Sequence, residues 1–529
     1  MNSAGQSNQS HFANVPGPTI QRSTFDRSFT HKTTFDSGYL YPFFADEVLP
    51  GDVMHLTTTM LARLATPIFP YMDNLTLDVH FWFVPNRLVW SNWEKFMGAQ
   101  DNPADSISYL VPQLDAPTYT AAGFLTGSLH DYFGLPTKIT GVIQADMPNA
   151  LLFRSYNLIW NTWYRDENLQ NGLTVQLTDG PDATAYALQK RGRRKDYFTS
   201  ALPWAQKWGA VSLPLGSLAP IKYQNVSGTS ATGTFANTFQ NAGGVGNATK
   251  AATFGAVGAG IGNSTELALY ADLTGATAAT INDIRAAVTL QQFYERDARG
   301  GSRYVELLYS HFGVVSPDFR LQRPEYLGGG SSAINVNPIA QASGTGASGT
   351  TSPQGNLAAF AMTRMQGGFN HSFVEHGHVI GLMSVRADNT YQQGLNRSWS
   401  RRTRMDFAWP DFANLGEMVI KNKEMLLTGV TANDNATWGY QEQYADYRYK
   451  PSIVTGLMRS NAVGTLHSWH LAMDQAGTLA TLAGLIPESP PVARIVAVPS
   501  QPQFILDSFT GLKHTRALPT YSVPGISRF

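Results

Sequence analysis

The sequence predicts a mainly β fold of the sandwich or barrel type, into which a few helices are inserted. Short apolar runs flanked by proline, glycine or asparagine recur along the chain, and strands of sandwiches and barrels are usually bounded in this way. Three stretches instead place apolar residues at helical spacing. All-β folds with large loops can exceed the usual domain size, so 529 residues are compatible with one domain.

The clearest strand covers residues 75–84. Its apolar side chains occupy alternate positions from Leu75 to Phe83, and polar residues such as Asp78 and His80 occupy the opposite face. This two-residue period is typical of a strand with one buried face. Further strands are predicted at 378–386, 418–427, 453–459, 493–498 and 504–509.

Three helices are predicted from the spacing of apolar residues. The first lies within 147–169, where aromatic and aliphatic residues recur every three or four positions. The second begins near Asn282 or Asp283, which are good N-cap residues, and ends at Gly300. The third is short and covers 302–311.

Composition distinguishes an N-terminal arm from one large domain, and two segments of low charge lie within that domain. Residues 1–40 are polar and rich in turn formers, which predicts an extended N-terminal arm rather than a packed element. Residues 41–529 are expected to form a single domain. Segment 223–282 carries three charged residues and segment 327–358 none, and such compositions bury little apolar surface. We expect 223–282 to be an insertion that forms a surface protrusion, and 327–358 to be a flexible loop.

The charge balance restricts the classes of partner. Charged residues make up 14% of the chain and aromatic residues 12%, a combination that is typical of interface cores. Lys+Arg and Asp+Glu both number 38, which argues against a nucleic-acid coat built on a long basic tail. With no cysteine, the chain has neither disulfides nor thiolate metal sites. The N-terminus is polar and no stretch approaches a membrane span in length, so we expect a soluble protein.

Motifs of enzymes and metal sites give little support for catalysis. The chain has no Walker-type phosphate loop, no His-Glu-x-x-His and no Gly-x-Ser-x-Gly. His376 and His378 would share one side of a strand beside Glu375, but the sequence offers no further ligand, and the same holds for His467 and His470. We therefore predict no metal, no other cofactor and no catalytic residue.

Two basic clusters are candidates for contact with nucleic acid. The first contains five cations in six residues and is followed by tyrosine, phenylalanine and tryptophan; the second also combines arginines with aromatic residues. Cations that bind phosphates beside aromatic rings that stack on bases suit single-stranded nucleic acid. The alternative is a solvated charged turn or an intersubunit patch that faces carboxylates, and composition alone favours it. The candidate residues are Lys190, Arg191, Arg193, Arg194 and Lys195 in the first cluster, and Arg401, Arg402 and Arg404 in the second.

The first cluster also carries a family resemblance. Residues 190–204, KRGRRKDYFTSALPW, resemble the signature segment of Microviridae major capsid proteins in the gokushovirus branch. Further blocks similar to this family occur in order from about residue 40 to the end. They lie at 41–52, 61–67, 72–74, 81–87, 311–313, 318–329, 375–377, 409–413, 415–417 and 516–525.

The resemblance implies a structural protein rather than an enzyme. It implies an eight-stranded antiparallel jelly roll of the viral capsid type, with long insertions between strands, that forms pentamers and a T=1 icosahedral shell around circular single-stranded DNA. Segment 223–282 is similar to the insertion that builds threefold protrusions in this branch, which we expect to contribute to attachment to a host receptor. Expected partners are further copies of the chain, a scaffolding protein, a small basic DNA-binding protein, a pilot protein and the genome. The expected location is the virion, assembled in the bacterial cytoplasm without membrane contact.

Two other classes of function share part of these features. A fibre or lectin-like adhesin would share the low-charge loops, but it would normally show repeats or a stalk pattern, and the sequence has neither. A β-sandwich carbohydrate-active enzyme would share the abundant aromatic residues, but it needs two carboxylates across a cleft, and the sequence nominates no pair.

Overall fold

The structure is a computed structural model that describes residues 21–119, 121–209, 211, 221–225, 233–234, 267–271, 281–340, 357–475 and 477–521. Predictions for residues 1–20, for most of 223–282 and for 341–356 therefore lie outside the described residues. The described strands, in chain order, are β1 (Ser23–Asp26), β2 (Phe29–Phe35), β3 (Tyr41–Val48), β4 (Val53–Leu64), β5 (Leu75–Pro85), β6 (Ile221–Asn225), β7 (Gly233–Thr234), β8 (Leu267–Ala271), β9 (Glu325–Ala333), β10 (Asn335–Ala340), β11 (Leu357–Ser372), β12 (Gly377–Ala387), β13 (Thr390–Tyr391), β14 (Glu417–Lys421), β15 (Thr437–Glu442), β16 (Ser452–Ile453) and β17 (Phe504–Arg516).

Of the described α-helices, seven have four residues, two have nine and one has twenty. The α-helices are α1 (Trp93–Phe96), α2 (Ala116–Tyr119), α3 (Leu129–Tyr132), α4 (Leu151–Ile159), α5 (Ile281–Gly300), α6 (Tyr304–Phe312), α7 (Asn422–Met425), α8 (Thr431–Asp434), α9 (Ala445–Arg448) and α10 (Leu482–Leu485). A π-helical turn follows α4 at Trp160–Tyr164, and 3-10 turns occupy Asn86–Leu88, Gln144–Asp146, Arg397–Ser400, Arg404–Asp406, Pro410–Phe412, Gly456–Met458, His467–Trp469 and Val492–Arg494. Among the described residues, no helix is both long enough and apolar enough to cross a membrane.

One curled antiparallel sheet forms the centre of the fold. Its strands follow the order β1-β17-β4-β11-β9-β5-β12-β3, and β2 and β10 pair with β17 and β11 outside this path. Neighbouring strands are far apart in sequence, as when Phe504 pairs with Leu64, which is the connectivity of a jelly roll rather than of a meander. The predicted mainly β fold of jelly-roll type is thus confirmed. The predicted count of eight strands is not, because the described part of this sheet has ten.

The curl of the sheet encloses an apolar core. Side chains from strands at opposite ends of the sheet meet inside it, including Tyr41 of β3, Phe81 of β5 and Phe504 of β17. A second cluster lies where α4 packs on β5 and β12, and it contains the fully buried Trp90 and Tyr156. β5 and β12 therefore bury both faces, so the single buried face expected for β5 was wrong: Asp78, on its polar face, is 5% exposed.

Several predicted elements are confirmed. β5, β12 and β17 coincide with the strands predicted at 75–84, 378–386 and 504–509, although β17 continues to Arg516. α4, α5 and α6 coincide with the three predicted helices.

Other strand predictions were wrong. The segment 493–498 begins within a 3-10 turn and 453–459 passes into another, while 418–427 is a strand only as far as Lys421. Ile495 and Val496 are almost fully buried. The apolar residues of 493–498 thus reach the core from an irregular backbone, so hydrophobicity alone could not identify the element.

The first part of the predicted flexible loop 327–358 is instead ordered as sheet. β9 and β10 cover residues 325–340 except for Ile334, and β9 pairs with β5 along most of its length. A Cβ atom on Gly329 would lie 2.1 Å from the carbonyl oxygen of Val79, and one on Gly330 would lie 2.7 Å from that of Gln366. The glycines are thus required for close approach of the strands, whereas their abundance had suggested a loop.

The described end of the predicted N-terminal arm also pairs with the sheet. β1 and β2 both lie against β17, and Phe35 is 1% exposed and stacks on Phe504. The sequence predicted an extended segment without packing, because the Thr- and Ser-rich composition does not reveal which partner strand is available. The domain boundary at residue 40 stays a prediction.

Residues 206–299 form a compact unit of their own, and the remainder of the chain forms the other. The described parts of the smaller unit include a three-stranded antiparallel sheet in the order β7-β6-β8 and nearly all of α5. The described residues of the predicted insertion 223–282 belong to this unit.

Candidate nucleic-acid interface

The first basic cluster lies between two other segments of the same chain. Lys190 forms a β-bridge with Tyr39, and Gly192 forms one with Pro487. The backbone N–H of Arg191 donates to the carbonyl oxygen of Gly38 at 2.8 Å. The cluster is thus fixed in an extended conformation, with neighbours on both sides, and is not a free charged turn.

Arg191 occupies the interior of this region. Its guanidinium lies 2.8 Å from the carboxylate of Asp78 and donates to the hydroxyl of Ser384 at 2.9 Å. Asp78 also pairs with Arg386 at 2.7 Å and accepts from Ser331 at 2.6 Å. One buried carboxylate therefore holds two guanidinium groups.

The electrostatics of the Asp78 site favour the ionised carboxylate. Burial alone would raise the pKa of Asp78, but the guanidinium of Arg191, the hydrogen bond from Ser331 and the charge of Arg386 together hold that pKa below its usual range. His80, on the same strand, contacts the hydroxyl of Tyr164 at 2.7 Å through Nδ1. Burial, with a contribution from Arg191, lowers the pKa of His80 to about 4, so this imidazole is neutral at physiological pH.

The other four cations of the cluster also have partners in the chain. Lys195 pairs with Asp166 at 2.7 Å, and Arg194 lies 3.4 Å from Asp388 and bonds to Thr76 at 3.1 Å. The remaining two use neutral acceptors: Lys190 donates to the hydroxyl of Ser489 at 3.1 Å, and Arg193 donates to the carbonyl oxygens of Pro487 and Ser489 at 3.3 and 3.4 Å.

These contacts support the alternative to DNA binding at the first cluster. The intersubunit alternative places the carboxylates on another subunit, whereas Asp78, Asp166 and Asp388 belong to the same chain. Asp78 could have been suspected, because it stands in the middle of a strand whose neighbours are apolar, and a buried carboxylate needs a cation. The assignment of Lys190–Lys195 to DNA contact stays a prediction.

The second cluster is divided between paired and exposed arginines. Arg401 forms an ion pair with Asp446, and its guanidinium carbon lies 4.1 Å from the ring centroid of Tyr447. Arg404 is exposed and lies 4.6 Å from the ring centroid of Trp409. Arg402 is exposed, and only its backbone N–H has a hydrogen-bond partner among the described residues, namely Asp406 at 2.8 Å. Arg402 and Arg404 thus remain accessible to an anion.

A cavity of about 270 Å³ lies next to the second cluster. Trp399 at its edge is 80% exposed, whereas Glu424 is buried and accepts hydrogen bonds from Tyr197 at 2.9 Å and Arg397 at 3.1 Å. Burial raises the pKa of Glu424, although Arg397 opposes that shift. The lining combines aromatic rings with two acids and two arginines, and both acids form ion pairs, Glu424 with Arg397 and Asp446 with Arg401.

Among the candidate metal ligands, Glu375, His376 and His470 have structural partners. Glu375 binds Arg87 at 2.6 Å, the ring of His376 lies 5.5 Å from that of Trp93, and burial lowers the pKa of His378 to about 4. Nε2 of His470 contacts the carbonyl oxygen of Met458 at 2.6 Å. Within the described ranges, no group of three or more His, Asp or Glu side chains could hold a metal ion.

Comparison with known proteins identifies the family. The family model described as capsid protein (F protein) matches residues 13–526. Capsid protein VP1 of Bdellovibrio phage phiMH2K is 47% identical over 532 residues, which cover 98% of each chain. Capsid protein VP1 of Chlamydia phage 1 is 43% identical over 98% of each chain, and that of Spiroplasma virus 4 is 36% identical over 98% of this chain and 97% of the other. All three are proteins of Microviridae gokushoviruses, so the resemblance found in the sequence is confirmed. The chain belongs to the phage capsid protein (F protein) family, and its role is that of a structural capsid protein.

Proposed function

We propose that this chain assembles into pentamers and then into a T=1 icosahedral shell that encloses a circular single-stranded DNA genome. In this proposal the chain has no enzymatic activity and resides in the virion, after assembly in the host cytoplasm. Membership of the capsid family supports the structural role. The size and composition of one exposed apolar surface support the self-association.

That surface begins on α6. None of the side chains of this nine-residue helix is buried, although most of them are apolar. Tyr304, Phe312 and Tyr309 are 68%, 75% and 64% exposed and lie within about 140° of one another around the helix axis, at 3.6 residues per turn. A helix with an exposed apolar face normally requires a partner surface.

The apolar surface continues beyond the helix. Val315 is 73% exposed and Phe319 is 62% exposed. The exposed parts of the four aromatic side chains alone provide about 400–700 Å², if a buried aromatic residue covers 150–250 Å². The largest apolar patch of an ordinary monomer is about 300–600 Å², and a standard interface buries about 800 Å² per partner. We call residues 304–319 the α6 surface and assign it to contact with a neighbouring copy.

Attachment to the host is assigned to the insertion 223–282. Its support is compositional, since a long segment of low charge suits display on the outside of a shell. The proposed partners beyond the shell are a scaffolding protein, a small basic DNA-binding protein, a pilot protein and a host surface receptor. The zero net charge of the chain supports the need for a separate basic protein.

Cryo-electron microscopy of nuclease-treated particles from cells that express the chain with its neighbouring phage genes tests the assembly. The variants Tyr309→Lys and Phe312→Lys place a charge on the α6 surface, and Val463→Lys, at a side chain that is 97% exposed elsewhere, is the matched control. We expect at least a tenfold loss of particles for the first two variants, since an unpaired charge would be buried at the contact. Their thermal unfolding should match the wild type within about 0.5 kcal/mol, because the substituted side chains are exposed in the isolated chain.

The control and the symmetry of the particles decide the outcome. Wild-type icosahedral shells with protrusions at the threefold axes, together with a selective loss for the two α6 variants, would support the proposal. Monomers or fibres from the wild-type chain would refute the shell. Normal shells from both α6 variants would refute the assignment of this surface and leave the shell itself intact.

A further inference from the structure

One broad face of the central sheet is turned away from the core. Side chains of β4 and β17 alternate between buried and exposed, and the buried set lines the core. β11, which pairs with β4, shows the same alternation along most of its length. β2 pairs with β17. We call the exposed side of β2, β17, β4 and β11 the outer sheet face. Its side chains include Lys32, His55, Thr57, Leu61, Arg63, Met362, Arg364, Gln366, Ile505, Asp507, Phe509 and Lys513.

Two arginines lie next to each other at the centre of this face. Arg63 of β4 is opposite Met362 of β11, so Arg364 is its diagonal neighbour, at about 7–8 Å. Both residues are exposed. Neither side chain has a hydrogen-bond acceptor or a carboxylate partner in the part of the chain that the structure describes.

The acids of the outer sheet face do not neutralise these arginines. Asp507 is a diagonal neighbour of Arg63 on β17, but it forms its ion pair with Lys32, at 3.0 Å. On the adjoining strand β1, the register places Asp26 opposite Lys513. Each of these acids therefore has its own lysine, and the two arginines remain as the excess positive charge. Two like charges on neighbouring strands repel each other, and a bound polyanion would remove that repulsion.

Polar groups on the same face suit a nucleic-acid strand. A shallow groove of about 420 Å³ is lined by His55, Thr57, Gln366, Gly367 and Gly368, which offer hydrogen-bonding side chains and accessible backbone. Phe509 is 52% exposed. It lies four residues along β17 from the position opposite Arg63, a distance of about 14 Å at 3.4 Å per residue. An exposed aromatic ring among cations on an open sheet is an arrangement that binds single strands by stacking and by phosphate contacts.

We propose that the outer sheet face binds single-stranded DNA, with Arg63 and Arg364 contacting phosphates and Phe509 stacking on a base. The inference rests on the proposed enclosure of a single-stranded genome and names the surface of the subunit that meets it. The phosphate contacts are carried by the two unpaired guanidiniums, which distinguishes this face from the segment at 190–195, where every cation already has a partner.

The first experiment measures binding of a fluorescent oligothymidylate to the full-length chain at several salt concentrations. For single strands, each phosphate contact adds about 0.7 to the slope of log K against log salt, so the double variant Arg63→Gln/Arg364→Gln should lose about 1.4 in slope. If both proteins bind equally at about 1 M salt, this difference in slope corresponds to an affinity about 25-fold lower at about 0.1 M salt. The matched control is Lys138→Gln/Lys450→Gln, which removes two exposed cations elsewhere and should leave the slope unchanged.

A variant of the aromatic residue separates stacking from charge. Phe509→Ser should lower the affinity about fivefold or more, because stacking on one base contributes about 1–3 kcal/mol, and it should leave the salt slope unchanged. A general disturbance of the sheet would not divide the two effects in this way. An unchanged slope in the double arginine variant would overturn the phosphate contacts, and an unchanged affinity in Phe509→Ser would overturn the stacking.

Particles prepared from the same variants separate this inference from the proposed function. We expect the double arginine variant to form shells at wild-type yield and to protect less DNA from nuclease. Absence of shells from the wild-type chain would refute the proposed function, whatever the oligonucleotide data. Loss of shells in the double variant with normal oligonucleotide binding would identify the outer sheet face as a contact between copies and overturn the DNA assignment.

Discussion

Replacement of Asp78 by asparagine tests whether the first basic cluster has a structural role. The carboxylate is shared by Arg191 and Arg386, and the exposed fractions of the three side chains are 6%, 12% and 17%. Asparagine keeps the shape and one acceptor oxygen but removes the charge. The variant therefore leaves two guanidiniums in a region from which water is largely excluded.

The size of the effect follows from burial. Removal of one partner of a buried ion pair costs about 3–5 kcal/mol, because the remaining charge is left uncompensated. The two arginines retain slight exposure, and the amide oxygen introduced by the substitution could still accept a hydrogen bond, so we expect the free energy of unfolding to fall by about 3 kcal/mol. The pKa of Asp78 is held below its usual range, so its contribution is complete at neutral pH and is lost as the pH falls below about 4. The acid-dependent part should vanish in Asp78→Asn.

Urea unfolding of the full chain at pH 7 and at about pH 2.5 measures both effects, because the contribution of Asp78 is lost only below about pH 4. Asp101→Asn is the control, because Asp101 is 81% exposed and lies 3.7 Å from Lys95, a surface pair whose loss should cost no more than about 0.5 kcal/mol. Trypsin, which cleaves after arginine, should also cut the Asp78→Asn variant faster at Arg191. A loss below about 1 kcal/mol at pH 7 would refute the argument, since it would mean that solvent screens the two guanidiniums.

The remaining predictions concern the second cluster and a buried histidine. Arg401→Gln should lower the free energy of unfolding by about 1.5–3 kcal/mol, because the ion pair with Asp446 is largely buried, whereas Arg402→Gln should stay within about 0.5 kcal/mol. Equal losses in urea unfolding would contradict this distinction. Burial lowers the pKa of His378 to about 4, so the unfolded chain binds its proton first, and stability should fall by about 2–3 kcal/mol between pH 7 and pH 4.5 through this group. His378→Gln should flatten that part of the pH profile, and an unchanged profile would show that another group titrates.

Regular patterning explains which elements the sequence predicts. β5 and β12 bury both faces, and α4 has an apolar stripe, so each gives a clear signal in the sequence. β4 gives no such signal, because residue type does not follow burial along this strand. The polar Thr58 is fully buried, and the apolar Leu61 is 43% exposed. β11 is rich in Ala, Met and Gly, which have little preference for strands, and its order depends on pairing with β4. Such strands are set by tertiary context.

The candidate site, too, could be predicted only in part from the sequence. The sequence located the arginine-rich segments, since a run of cations is visible without a structure. It could not supply their partners, because Asp78 and Asp388 come from distant parts of the chain. It also missed Arg63 and Arg364, which are 301 positions apart and become neighbours only through the pairing of β4 with β11. Local charge density is thus a poor guide to which cations are accessible.

This distinction bears on how a neutral chain could enclose a polyanion. Counterion release upon DNA binding requires cations that are not already neutralised, so an arginine in an internal ion pair adds little to the salt dependence of binding. Four of the eight cations of the two clusters form ion pairs within the chain, Lys190 and Arg193 contact neutral acceptors, and the outer sheet face contributes two guanidiniums without acids. Each subunit would then neutralise only a few phosphates, and the remaining charge of the genome would have to be met by mobile cations or by a separate basic protein. The subunit would hold DNA at a few defined points, and its neutral, weakly charged flanks would remain available for contacts with other copies.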